Sequence, residues 1–349
     1  MTDHNDLFVA AMAAVCFAPP ELPDKQPKPE ALEAADRASR YWTSPHVGPL
    51  RVGSPSHRHE VCRMFRETFN PYRPAVIRWP QLSPDMLKRL MSLPIWNIAV
   101  HTEGRARLRF ASYAATLQTA EVRDAVMLNA WEEHRHKDVL AHLAKTYGIA
   151  LGPEPAYRVP RDPEWMYLVT GYCECIDSFF AFGLFELARR SGFFPAELVE
   201  TFEPVMQEEC RHILLFANLV AWQRASLPWW RRIAFELRVA AAWLYIGWER
   251  LVLARSMKSN GMGTGQDSNF TATNAQAVTP VEVGVRDFMA HCLQENDRRF
   301  AGYDARLVRP KTIPALARAF LFLTRPWAGK RLGTGPIERQ SDERSPAGG

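Results

Sequence analysis

Glu132-Glu133-His134-Arg135-His136 recurs in the same chain as Glu208-Glu209-Cys210-Arg211-His212. The shared pattern is Glu-Glu-x-Arg-His, and each copy contains Glu-x-x-His. Residues three apart lie on one face of a helix, so each copy sets a carboxylate beside an imidazole where both can ligate one metal ion. Carboxylates with a few imidazoles suit iron(II) or manganese(II); zinc prefers fewer ligands. A helical site of this kind needs two further glutamates, one from each of two more helices.

Symmetry picks them out. In a hairpin of antiparallel helices, residues at one depth lie equally far from the turn. Glu103 and Glu133 have their midpoint at residue 118, where Gln118-Thr119 separates two helical patterns. Glu174 and Glu209 have theirs between Ser191 and Gly192, inside Ser191-Gly192-Phe193-Phe194-Pro195. That is the clearest helix stop in the chain, with Gly at the end and Pro just beyond. The competing acid, Glu186, shares with Glu209 a midpoint inside the next helix and fails. Each chosen Glu lies about 15 to 18 residues from its turn, roughly 22 to 27 Å at the helical rise. The expected metal ligands are therefore Glu103, Glu133 and His136 on one side and Glu174, Glu209 and His212 on the other. Glu133 and Glu209 are the expected bridges. Glu174 sits in Tyr-Cys-Glu-Cys-Ile, an apolar setting where an unpaired carboxylate is costly.

The 349 residues allow one large domain or two. The net charge of +5 permits an anionic partner without demanding one, and a nucleic-acid partner is not favoured. Six cysteines show no Cys-x-x-Cys and no disulfide-framework spacing, which reads as reduced thiols in a cytoplasmic protein. The apolar stretch 7–17 follows Asp3, His4 and Asp6 rather than a basic segment, which argues against a signal peptide. No uninterrupted apolar run is long enough for a transmembrane helix; residues 235–254 come nearest.

The expected fold class is all-α, a four-helix bundle with additional N- and C-terminal helices. Residues 1–92 read as a wrapping segment, with five prolines between 19 and 29 and short helices at 31–41, 57–68 and 83–92. Residues 93–258 hold the bundle: helices at 95–117 and 120–147, a crossing at 152–160, a helix capped by Asp162-Pro163-Glu164 and running to 190, another at 196–226, and a fifth from 229 to about 256. Residues 259–324 give a loop at 260–280 and helices at 281–301 and 313–323. Residues 325–349 form a basic, Gly/Pro-rich tail expected to be disordered. His57-x-His59 reads as a solvated face, Arg105, Arg107 and Arg109 as charges spread around a helix, and the Trp and Phe of the third to fifth long helices as core.

The doubled motif resembles that of the ferritin-like di-iron carboxylate superfamily. It looks like the motif of the O2-activating types such as multicomponent monooxygenase hydroxylases and acyl-carrier-protein desaturases. The resemblance covers roughly residues 96–222. It implies two Fe ions, with Mn/Fe as an alternative, and O2 as co-substrate. It also implies that the acid before each ligating Glu bonds the histidine of the opposite motif, Glu132 to His212 and Glu208 to His136, and that Ser178, one turn after Glu174, takes part in proton relay. Serine stands where the family usually has threonine. The arylamine N-oxygenases carry an extra histidine four residues before the last Glu; Val205 holds that position here.

Two function classes follow. One is an O2-dependent oxidoreductase that hydroxylates, N-oxygenates or desaturates an organic small molecule. The other is a non-enzymatic metal-binding or iron-storage protein. The long segments flanking the bundle favour the first, because they can close a pocket against water. A di-iron RNA-modifying hydroxylase is a further alternative, suggested by the basic C-terminal region. No iron–sulfur or nucleotide motif is present, so electrons would come from a separate electron-transfer protein or from the substrate. A homodimer is among the open arrangements.

The midpoint argument separates two acids of the same helix. Glu174→Ala is expected to lower metal content or abolish O2 reactivity, and Glu186→Ala to leave metal content intact. Elemental analysis of the two variants checks this, and the reverse result would overturn the register assigned to the second hairpin.

Overall fold

The computed structural model describes residues 4–72, 77–93, 95–260 and 284–325. Among them the regular structure is all helical: α1 (His4–Ala14), α2 (Pro29–Arg40), α3 (Pro55–Glu67), α4 (Pro84–Ser92), α5 (Trp96–Ala114), α6 (Ala120–Thr146), α7 (Pro163–Ser191), α8 (Ala196–Ser226), α9 (Trp229–Asn260), α10 (Val285–Phe300) and α11 (Thr312–Leu323). The expected loop at 260–280 and the expected tail both fall almost wholly outside the described residues.

Local chemistry sets the helix ends. The Asp162 side chain accepts from the Trp165 backbone N–H at 2.9 Å, and Pro163 opens α7. Ser54 and Ser83 cap α3 and α4 in the same way. Gly192 ends α7 in the left-handed region at φ 62°, a conformation glycine adopts without steric cost. The first turn, 115–119, contains its midpoint, and the second, 192–195, begins directly after its midpoint.

α5 packs along α6 and against α7, and α7 packs against α8, so the four long helices enclose a common interior. α3 lies across α6 and α8, α9 against α7 and α8, and α10 along α7. Glu203 on α8 ties the outer segments together: it pairs with Arg40 of α2 at 2.9 Å and Arg299 of α10 at 2.9 Å. Nearby, the Trp42 backbone N–H donates to Gly302 O at 2.9 Å and the Ser44 backbone N–H to Asp304 at 3.0 Å.

Four expectations need correction. α1 was not anticipated; its Phe8 is buried and stacks near His134, with ring centroids 5.2 Å apart. His57 is not on a solvated face: it is fully buried and bonds Asn218 at 3.0 Å. Three of the four tryptophans of α9 are not core; Trp243 does pack against the core, beside Tyr172. Phe235, Val239, Ala242 and Ile246 form the inward stripe, while Trp229, Trp230 and Trp248 face outward with Leu237 and Leu244. Among the described residues α7, rather than 235–254, is the one helix apolar and long enough to span a membrane, and most of that stretch is buried against its neighbours.

Two glycines make opposite predictions. A Cβ on Gly171 would meet the Phe216 ring at 2.2 Å, whereas one on Gly247 would meet nothing within 4 Å. Phe216 is itself held between Tyr167 and Tyr172. Gly171→Ala is expected to destabilise by about 1 to 3 kcal/mol through overpacking. Gly247→Ala, at an open helical site, is expected to stabilise by up to ~1 kcal/mol. Urea denaturation of both variants measures the difference.

Candidate metal centre

Glu133 and His136 on α6 converge with Glu209 and His212 on α8. One ligand atom from each lies within 4.8 Å of every other. His212 Nδ1 is 2.8 Å from Glu133 Oε1, and His136 Nδ1 is 3.1 Å from Glu209 Oε1. Each histidine thus faces the glutamate of the opposite motif. Neither Nδ1 makes a hydrogen bond in the geometry it adopts.

The other ring nitrogens explain the orientation. His136 Nε2 donates to Glu208 Oε2 at 2.8 Å and His212 Nε2 donates to Glu132 Oε2 at 2.8 Å. A carboxylate only accepts, so each Nε2 carries a proton in either charge state of the ring. Nδ1 is then the atom left to present a lone pair to a metal.

The second oxygens of the same acids take the motif arginines. Arg211 Nη1 donates to Glu132 Oε1 at 2.8 Å, and Arg135 Nη2 donates to Glu208 Oε1 at 2.7 Å. Each acid therefore holds the Arg and the His of the opposite motif. α3 and the segment after it close the outside: Arg211 Nε donates to Thr68 Oγ1 at 2.8 Å, Arg135 Nη1 donates to Asn70 O at 3.1 Å, and the guanidinium carbons stand over Phe65 at 4.5 Å and Phe69 at 4.8 Å. Sequence reasoning left both arginines without a role. Their presence in both copies of the motif was the available signal.

Glu103 and Glu174 complete the set from α5 and α7, outside the tight cluster of four. The Glu103 carboxyl hydrogen-bonds Glu133, and Glu174 has both oxygens buried without a partner. Burial, then the charge of Glu133, pushes both carboxyls well above the usual range. Burial acts the same way on Glu133, but the His212 charge and the Glu103 hydrogen bond outweigh it and bring Glu133 to about 2. Glu103 is accordingly the donor of that pair. Burial opposes protonation of His212, yet Glu133 and Glu132 raise it to about 9.

Glu133, His136, Glu209 and His212 could hold a metal ion, and the chemistry around them fits a cationic occupant. Glu174 has two orphaned oxygens, both histidines turn Nδ1 inward, and four carboxylates crowd one point. Four carboxylates balance two divalent cations in charge, while Arg135 and Arg211 balance Glu208 and Glu132. Ser178, buried one turn from Glu174, lines the same cavity. Glu186 is elsewhere, held by Arg189 and Arg190 at 2.7 Å and 2.5 Å. Cys173 also lines the cavity, and Cys175 is buried beside it in sequence. Arg107 is not a surface charge as expected; it is buried, donating to His134 Nδ1 at 2.7 Å with Glu154 at 3.6 Å.

Comparison with protein-family models, with curated proteins and with solved structures returns no match.

The double duty of Glu132 makes its removal distinctive. Glu132→Gln keeps the shape but leaves Arg211 buried without a counter-charge, a loss of about 3 to 5 kcal/mol. It also weakens the hold on His212, expected to lower metal affinity or activity about 10- to 100-fold. Adding Arg211→Met should restore much of the stability and none of the metal affinity. Urea denaturation and metal titration on the single and double variants separate the two effects.

Proposed function

We propose that the chain is an O2-dependent non-haem di-iron oxidoreductase of ferritin-like architecture, acting on an organic small molecule. The observation that carries this reading is the crossed arrangement. Two Glu/His pairs converge, each Nδ1 points inward, and each Nε2 is held by a fully buried acid of the opposite motif.

Glu103, Glu133, His136, Glu174, Glu209 and His212 would hold the two ions together; the grouping by motif expected from the sequence gives way to Glu133 beside His212 and Glu209 beside His136. Glu133 and Glu209 each face a histidine of the opposite motif and would contribute carboxylate oxygens to holding the ions. Fe/Fe is the favoured pair and Mn/Fe the alternative, because the donor set is hard and oxygen-rich. When bound, the pair supplies reversible electron transfer and activation of O2.

The chain's own residues do the rest. Glu132 and Glu208 fix the histidine tautomers and increase ligand basicity. Arg211 keeps Glu132 ionised: burial disfavours the charged form of Glu132, and Arg211 with His212 outweighs it. Glu103 holds a proton beside Glu133. Ser178 offers a hydroxyl to the cavity one turn from Glu174, placed to hold or pass a proton.

The cavity favours an oxidoreductase over a storage protein. It measures about 170 Å³, lies against the cluster and exposes a mostly apolar surface, with Ala99, Val139, Leu140, Phe202 and Val205 among its walls beside the acids. An apolar space beside the ligands admits an organic molecule and excludes water; a storage site needs no such space.

Anaerobic loading with Fe(II) is expected to give two ions per chain, roughly 3.5 to 4 Å apart as in two-metal sites generally. O2 uptake should then stop at the pair and scale with an organic substrate. At most one ion per chain would overturn the reading. Uptake of many ions per chain with ferric oxide deposition would show storage instead.

A further inference from the structure

Arg109 is the one Arg or Lys among the described residues lining the cavity beside the metal cluster. Its guanidinium donates to Thr170 Oγ1 at 3.2 Å and has no carboxylate at ion-pair distance among the described residues. The nearby acids are already engaged: Asp177 with Arg250 at 3.0 Å, and Glu249 with the Tyr245 hydroxyl at 3.0 Å. Burial, with Arg105 close by, lowers Arg109 to about 10, so it stays cationic at neutral pH. A largely buried cation whose hydrogen bond goes to a hydroxyl, with the nearby acids engaged elsewhere, leaves a place for an anion.

The placement defines the ligand. Arg109 lies six residues beyond Glu103 on α5, about 9 Å along the axis, and Thr170 lies one turn before Glu174 on α7, about 6 Å. On the other side of that level the cavity continues between Ala99, Val139, Leu140, Phe202 and Val205. A core cavity of about 150 Å³ holds a benzene molecule, so about 170 Å³ takes a body of roughly six carbons. One guanidinium and one hydroxyl match a planar, singly charged carboxylate. A phosphate monoester would bring a second charge with no partner into an apolar space.

We propose that the substrates are small apolar monocarboxylates, with the carboxylate on Arg109 and Thr170 and the body crossing the Glu103–Glu174 level. This deepens the oxidoreductase reading and rests on it for the reaction; the binding step is measured without turnover.

The test is calorimetric titration of the full chain, as isolated and after chelation, with hexanoate, hexanol and hexyl phosphate. Hexanoate should bind one per chain and at least about 10-fold tighter than the other two in both forms, as a charge-assisted hydrogen bond allows. Arg109→Leu should weaken hexanoate about 10- to 100-fold while leaving hexanol binding and iron content unchanged. Arg109→Lys should keep part of the affinity, and Thr170→Val should lose a few-fold. Those two variants carry the test if Arg109→Leu does not fold. Hexanoate binding no tighter than hexanol, binding indifferent to Arg109, or preference for hexyl phosphate would overturn the proposal. Arg109-dependent binding in a chain that takes up no metal pair would leave the anion subsite standing and remove the oxidoreductase reading.

Discussion

Two buried carboxylates, Glu132 and Glu208, hold the centre of this molecule together. Each accepts from one arginine and one histidine of the opposite motif, and all six side chains are buried. A buried charge without a partner is far more costly than one that is paired. The pattern is therefore close to all-or-none. Sliding α8 by one residue against α6 would turn the partners away by about 100° and strand four charges together. α6 and α8 approach each other at few points apart from these side chains. The ionic contacts, more than apolar packing, set their register, and the register places the Nδ1 atoms.

The same acids link the fold to the charge of the site. Glu132 and Glu208 are balanced within the protein by Arg211 and Arg135. Glu103, Glu133, Glu174 and Glu209 have no arginine of their own among the described residues, and burial with the charge of Glu133 pushes Glu103 and Glu174 well above the usual carboxylate range. A group kept protonated by burial and like charge is one from which a metal ion can displace the proton. The arginines thus neutralise the acids that hold the histidines, while the inner Glu133 and Glu209 form with those histidines a group that could hold a metal ion.

Much of this was legible in the sequence because it depends on spacing. The repeated motif gave both ends of the cluster, and the two turns, marked by Gln118-Thr119 and by Gly192 with Pro195, fixed the level of Glu103 and Glu174. What was not legible depends on which element covers which face. Nothing local to Arg107, Arg135 or Arg211 shows that a guanidinium is buried; that needs α1 or α3 to lie over it. His57 is likewise buried only because Asn218 of α8 meets it. The outward tryptophans of α9 are the converse case, since periodicity defines an apolar stripe but not whether a neighbour packs on it. α1 carries almost no amphipathic signal, being small and apolar nearly all round, and it is placed by the seating of Phe8.

Coverage also makes the site one-sided. Behind the histidines, Phe65, Thr68, Phe69 and Asn70 close over the arginines, and no side chain there is free to move without uncovering a charge. In front, between α5 and α7, Glu103 and Glu174 face the cavity, and the walls are small or apolar at Ala99, Ala106 and Ala181. Exchange of anything at the cluster must therefore happen on the side of Glu103 and Glu174, the two carboxylates least committed to other partners. The closed half holds the histidines in place, and the other half sets Glu103 and Glu174 against the cavity. That division follows from where the arginines were placed, since a charge that must stay covered also fixes which face has to stay closed.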